Sequence, residues 1–172
     1  MKYSPKFANI LANITEKSNI GLNLLYSNFR TIEGIGIFKM ILEINGFAEY
    51  KLRKQGVSWG IIENPRDVDK LKFVLYTGTE STEEKEIIRN INNSSSDLVP
   101  AFISKKLHMI NKDDKNKYGA VIKLLMMIPS GAEGINLKIH DMFISSNLTG
   151  IWYVYNKLSA AHAAHAVTKL SL

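Results

Sequence analysis

Cysteine is absent from this chain, so disulfides and thiolate metal sites are excluded and a reducing compartment is compatible with the composition. Long apolar runs are missing too. No stretch approaches the ~20 residues of a membrane span, and Met1-Lys2 does not open a secretory signal. No internal repeat is evident, and low complexity is confined to Asn92-Asn93-Ser94-Ser95-Ser96, which reads as a surface loop. Arginine stops at Arg89. What remains suits one globular domain: 172 residues, 45% of them apolar, are enough to bury a real core. The 22 basic residues against 16 acidic ones give a net charge of +6, which favours nucleic acid or another polyanion as partner.

Hydrophobic periodicity alternates along the chain. Ser4-Pro5 reads as an N-cap and a first-turn proline, opening a helix with Phe7, Ile10, Leu11 and Ile14 on one face. Leu22, Leu24, Leu25 and Tyr26 predict a strand that ends at Ser27-Asn28. A helix over about Ile32 to Asn45 follows, with Ile35, Phe38 and Leu42 inward and Gly46 at its C-terminal cap. Tyr50 to Leu52 suggests a short strand, and Gln55 to Lys70 an irregular excursion. Phe73 to Tyr76 predicts a strand running into Thr77-Gly78-Thr79. Ser81-Thr82-Glu83-Glu84 has capping-box spacing and starts a helix carrying Ile87, Ile88 and Ile91. Asp97 is a candidate cap for a helix reaching about Ile110, and Lys112 to Lys117 reads as a solvated turn. Val121, Ile122, Leu124, Leu125, Met126, Met127 and Ile128 then form a buried strand delivering the chain to Ser130-Gly131-Ala132-Glu133-Gly134.

Strands and helices alternating at this spacing predict a parallel α/β sheet, and ligands of such sheets gather beyond the carboxyl ends of the strands. Ser27-Asn28, Thr77-Gly78 and Ser130 to Gly134 all fall there. Glycine lets main chain approach phosphates closely, and Glu133 can accept protons from ribose hydroxyls. Taken singly, Ser27 and Thr77 also read as ordinary strand-end caps, and Glu133 as a solvated turn carboxylate. Arg30, Lys72 and Lys123 read as parts of solvated edges.

Three of these segments carry a resemblance. Leu25-Tyr26-Ser27-Asn28-Phe29-Arg30-Thr31-Ile32-Glu33-Gly34-Ile35 resembles motif IV of superfamily 2 helicases from large cytoplasmic DNA viruses. That broad group includes the poxvirus early transcription factor and SNF2-like ATPases. Phe73-Val74-Leu75-Tyr76-Thr77-Gly78-Thr79 is similar to the strand and Thr-Gly loop that follow, and Ser130 to Leu137 to motif V. The order and spacing agree from about residue 4 to residue 137.

The resemblance implies a second RecA-like lobe: a three-layer α/β domain with a central, mainly parallel sheet and an incomplete or irregular C-terminal part. It implies nucleic-acid backbone contacts from Ser27, Asn28, Thr77, Gly78, Ser130 and Gly131, which hold phosphate without reading bases. Glu133 and Gly134 would approach the ribose of ATP. That nucleotide would be shared with a first, N-terminal RecA-like lobe missing from this chain, and Mg²⁺ belongs only to the complete enzyme. Pro129 departs from the family's small polar residue and offers no amide, so phosphate contacts there must begin at Ser130.

Other departures are larger. The chain has no Walker A Gly-x-x-x-x-Gly-Lys-[Ser/Thr] and no motif II carboxylate pair. Beyond Leu137 the expected Gln-x-x-Gly-Arg-x-x-Arg is missing, and lysine does not replace a planar, permanently charged fork. The expected domains are therefore 1–137, spanning motifs IV to V, and an atypical tail, 138–172. Back-translation of 138–165, read from the third base of the Lys138 codon, permits an uninterrupted segment ending Gln-Gln-Val-Ile-Gly-Arg-Ala-Arg-Arg. A frame shift near Leu137 is thus one origin for the tail, which predicts poorer packing around Ile135 to Leu137. Opportunistic packing of Trp152, Tyr153 and Tyr155 is expected with it. His162 and His165 share a helical face, but two ligands without Cys, Asp or Glu beside them make a poor metal site. The expected function is the second lobe of an ATP-dependent helicase or translocase, inactive as an ATPase alone. A non-catalytic nucleic-acid-binding module, and a small α/β nucleotide-binding or transferase domain, remain the alternatives.

Overall fold

The computed structural model describes residues 5–17, 19, 21–28, 34–110, 116, 118–132, 135–137, 142–146 and 152–156. A six-stranded sheet forms its centre. Strands β1 (Asn23–Ser27), β2 (Phe47–Glu49), β5 (Leu71–Tyr76), β6 (Leu124–Met127), β7 (Met142–Ser146) and β8 (Trp152–Asn156) lie in the order β2-β5-β6-β1-β7-β8. Each neighbouring pair is parallel except β7 with β8.

Alternation along the central strands explains the layers. Leu24, Tyr26, Val74, Tyr76, Leu125 and Met127 face one side of the sheet, while Leu25, Phe73, Leu124 and Met126 face the other. Both faces are apolar, so both require helices, as parallel sheets do. The first is covered by α3 (Thr82–Asn92) through Ile87, Ile88 and Ile91, and by α4 (Ala101–Ile110) through Ile103 and Leu107. The second is covered by α1 (Pro5–Thr15) through Ile10 and Ile14, and by α2 (Ile35–Ile44) through Ile35, Phe38, Ile41 and Leu42. Phe7 stacks on Phe38 with ring centroids 5.5 Å apart. This is the three-layer α/β arrangement of a RecA-like domain.

Local signals fix most of the boundaries. Gly46 takes φ +86 behind α2, and the Ser81 hydroxyl accepts the Glu84 amide at the start of α3. Asn116 is buried, and its side-chain oxygen accepts the amides of Val121 and Ile122 at 2.9 and 3.0 Å, setting the entry to β6.

Four expectations are corrected. Residues 51–62 form a hairpin, β3 (Lys51–Gln55) with β4 (Ser58–Ile62), and the excursion continues into a 3-10 turn at Pro65–Asp67. Asp97 belongs to a separate 3-10 turn, Ser96–Leu98, and α4 begins only after Pro100. The β6 strand is shorter than the apolar run that encodes it. Lys72 and Lys123 are not solvated edges: Lys72 pairs with Glu63 at 3.3 Å, and buried Lys123 donates to the Asn19 carbonyl. Ser4, Arg30, His162 and His165 lie outside the described residues. Of the tail, β7 and β8 extend the sheet beyond β1, while Ile135 and Leu137 are partly buried against the α3–α4 side of the core.

Glu63 ties the hairpin to the body. It follows β4 and binds Lys106 of α4 at 2.8 Å as well as Lys72 of β5. The hydrogen bond from Lys106 comes first among the causes that hold its carboxyl below the usual range, with Lys72 adding to it. A carboxylate whose folded pKa is depressed stabilises above its unfolded value, and that contribution is lost as pH falls through the folded value. Glu63→Gln is therefore expected to flatten the acid limb of the stability curve below about pH 4.3, read as Tm against pH; an unchanged acid limb would count against this anchor.

Candidate nucleic-acid interface

Parallel register brings three strand ends to one rim. Tyr26 of β1 and Tyr76 of β5 both stand opposite Met127 of β6. With neighbouring strands about 4.8 Å apart, the turns after β5 and β1 leave the sheet roughly 10 Å from each other, and that of β6 lies between them. Ser27-Asn28, Thr77-Gly78 and Ser130-Gly131 are therefore brought together.

The β5 and β6 turns are joined directly. The Ser130 hydroxyl donates to the Thr77 carbonyl at 2.9 Å. Gly78 takes φ +85, and a Cβ on it would stand 2.9 Å from Ser130 Oγ. Gly131 is buried, its amide donates to Ile128 O at 2.9 Å, and a Cβ there would run into the carbonyl oxygen of Tyr76. The Ser-Gly pair thus divides its work: Gly131 lets the β6 turn seat against the end of β5, and Ser130 remains exposed at the surface. Where the sequence suggests an open glycine turn, Pro129–Ala132 makes a single helical turn, α5, with proline in its first position.

Thr77 and Gly78 present a converging set of donors. Both amides point to one carboxylate oxygen, Oε2 of Glu80, at 2.9 and 2.8 Å. The Thr77 hydroxyl reaches Oε1 at 2.9 Å, and Thr79 Oγ1 lies 2.9 Å from Thr77 Oγ1 and 3.3 Å from Oε1. Gly78 and Thr79 are exposed, whereas Thr77 is buried. Nothing in the residue pattern singles out Glu80; the available signal is a Glu four residues past the end of β5, within reach of the amides of the turn between.

The β1 turn is less open. Ser27 is fully buried and opposes Ser146 of β7, while Asn28 is partly exposed. Of Ser27 and Asn28, the one with accessible polar surface is therefore Asn28. Glu133 and Gly134, the residues expected near ATP, lie outside the described residues. Among the described residues, no group of three or more His, Asp or Glu side chains could hold a metal ion, and no helix is long and apolar enough to cross a membrane.

Titration is perturbed around this rim at Tyr26, Tyr76 and Glu84, and burial raises the Tyr26 phenol. Burial raises the Tyr76 phenol. Burial and then the nearby Glu80 raise the Glu84 carboxyl. Glu80 and Glu84 therefore stand close enough beside the Thr77–Gly78 loop to interact.

Similarity to known proteins agrees with a helicase-related chain. A putative ATP-dependent RNA helicase of Acanthamoeba polyphaga mimivirus is 28% identical over 144 residues. The match covers 83% of this chain and 19% of that protein, so the chain spans about a fifth of its relative's length. No protein-family profile matches the chain, and no solved structure matches it.

Two substitutions test how the rim is assembled. Gly131→Ala forces a methyl group against the backbone of β5, and overpacking of this kind costs about 1–3 kcal/mol. At about 2–4 °C per kcal/mol for a chain of this size, Tm is expected to fall by roughly 5 °C. Ser130→Ala removes one hydrogen bond, worth about 1 kcal/mol, and should lower Tm by less. Equal melting of Gly131→Ala and wild type would contradict the close seating of β6 on β5.

Proposed function

We propose that this chain acts as the second RecA-like lobe of an ATP-dependent superfamily 2 helicase or translocase. The observation that carries the reading is the alignment of the three turns at one carboxyl rim, with the β5 and β6 turns joined through Ser130 and Thr77. Helicase-related similarity and the net charge of +6 support it.

In this reading the strand's phosphates run along the rim. Asn28, Thr77 and Gly78 supply side-chain and main-chain donors, Ser130 steadies the β5 turn at that surface through the Thr77 carbonyl, and Ser27 and Gly131 shape the turns beneath them. Such donors recognise the sugar-phosphate backbone and are indifferent to base identity. Glu133 and Gly134 face the ATP ribose by resemblance, and a companion lobe supplies the phosphate cradle and the Mg²⁺ ligands. ATP hydrolysis belongs to the pair of lobes. This lobe holds its share of the strand and of the nucleotide cleft.

Purified residues 1–172 are expected to show no ATP turnover above a buffer blank. They should bind a fluorescent single-stranded oligonucleotide at low salt, with affinity falling as salt rises. Thr77→Ala should weaken binding about fivefold, the equivalent of one hydrogen bond of roughly 1 kcal/mol, across unrelated sequences. Binding unaffected by Thr77→Ala, or absent at low salt, overturns the strand-holding role; turnover by this chain alone overturns the division of labour.

A further inference from the structure

The Thr77–Gly78 loop already holds an anion, and that anion is part of the chain. We propose that Glu80 is a built-in competitor for the phosphate position of this loop, and that its carboxylate must swing out before a phosphate enters. The inference rests on the strand-holding reading of the same rim.

The geometry is that of a bound anion. One carboxylate oxygen takes two main-chain amides, at 2.9 and 2.8 Å, and the other takes the Thr77 hydroxyl at 2.9 Å. Each hydroxyl has one proton. If Thr77 donates to Glu80, Thr79 donates either to Thr77 Oγ1 or to the carboxylate, and both options complete the ring of donors. Among the described residues no ammonium or guanidinium forms an ion pair with Glu80, so neutral donors alone hold its charge. A phosphodiester offers the same pair of oxygens on a single atom and the same charge, and amides with hydroxyls suit both.

The surroundings of Glu80 leave room for an exchange. Glu80 is partly exposed, and it borders a cavity of about 390 Å³ also lined by Thr79, Glu84, Lys39 and Lys51. A displaced side chain has room there. Glu84 lines the same cavity, and its carboxyl is raised by burial and then by the Glu80 charge, so the two side chains are close neighbours. A loop whose competent form is only fractionally populated binds more weakly by that fraction, and removing the internal anion restores the loss.

The experiment has two arms. In the first, backbone amide resonances of Thr77 and Gly78 are followed while inorganic phosphate is added to the wild type, Glu80→Gln and Glu80→Ala. Phosphate is expected to bind both variants about tenfold more tightly than the wild type at these two amides. In the second, oligonucleotide affinity is compared at fixed salt, with Glu86→Gln as control for the loss of one negative charge on the neighbouring helix. Glu80→Gln should gain about tenfold, and Glu86→Gln much less.

Equal phosphate response in all three proteins overturns the proposal, as does no response in any of them. Loss of the folded loop signals in both Glu80 variants also overturns it, because Glu80 is then a brace. An equal gain from Glu86→Gln reduces the effect to bulk charge and overturns it as well. If no form binds oligonucleotide, the strand-holding reading fails, while the phosphate arm still decides the role of Glu80.

Discussion

Everything at the rim depends on the parallel pairing of β5, β6 and β1. Because the three strands run the same way in matched register, their carboxyl ends stop at the same level, and the turns that follow emerge side by side. The same pairing leaves apolar side chains on both faces of the sheet, so α1 and α2 must lie on one side and α3 and α4 on the other. β6 is the keystone of this order. All four of its residues are buried, and it is the strand that holds β5 and β1 in a common frame. Gly131 shows how tight the constraint becomes, since the chain leaving β6 has no room for a side chain beside the Tyr76 carbonyl.

Much of the charge of the protein is taken up in ion pairs between elements. Glu63 gathers Lys72 and Lys106, Glu49 gathers Lys39 and Lys51, and Glu83 pairs with Lys54. Lys123 donates to a main-chain carbonyl. These contacts fasten the β3–β4 hairpin, the helices and the sheet edge to one another. The Thr77–Gly78 loop instead works with neutral donors: two amides and the hydroxyls of Thr77 and Thr79. Donors of that kind hold an anion by geometry, and they release it without moving a cation through solvent. Net charge therefore directs attention to a class of partner, and says little about where the partner sits.

Several elements were legible from pattern alone because their causes are local. The capping box at Ser81, the left-handed Gly46 and the amphipathic face of Ile87, Ile88 and Ile91 each act within one helix. The β3–β4 hairpin was missed because only Leu52 in β3 is buried, which leaves no alternation to read; Gly56 at φ +61, in the turn between the strands, was the available signal. Lys72 and Lys123 read as solvated in the sequence because a lysine there carries no trace of a distant carboxylate or carbonyl. Glu80 went unnoticed for a similar reason, since its chief partners are main-chain amides that every residue possesses.

The sequence by itself determined the α/β alternation, the two-sided burial of the central strands and the identity of the three strand-end turns. Those follow from side-chain period and turn chemistry, which are properties of short segments. Only the tertiary structure decided that the β5 and β6 turns are bonded through Ser130, that Ser27 is buried while Asn28 is not, and that Glu80 fills the Thr77–Gly78 loop. The Ser130 bond joins residues 53 positions apart, and the burial of Ser27 depends on which strands flank β1, so neither is written in any one stretch of chain. Glu80 lies only two and three residues from the amides it accepts, but its side-chain conformation is set in the folded loop.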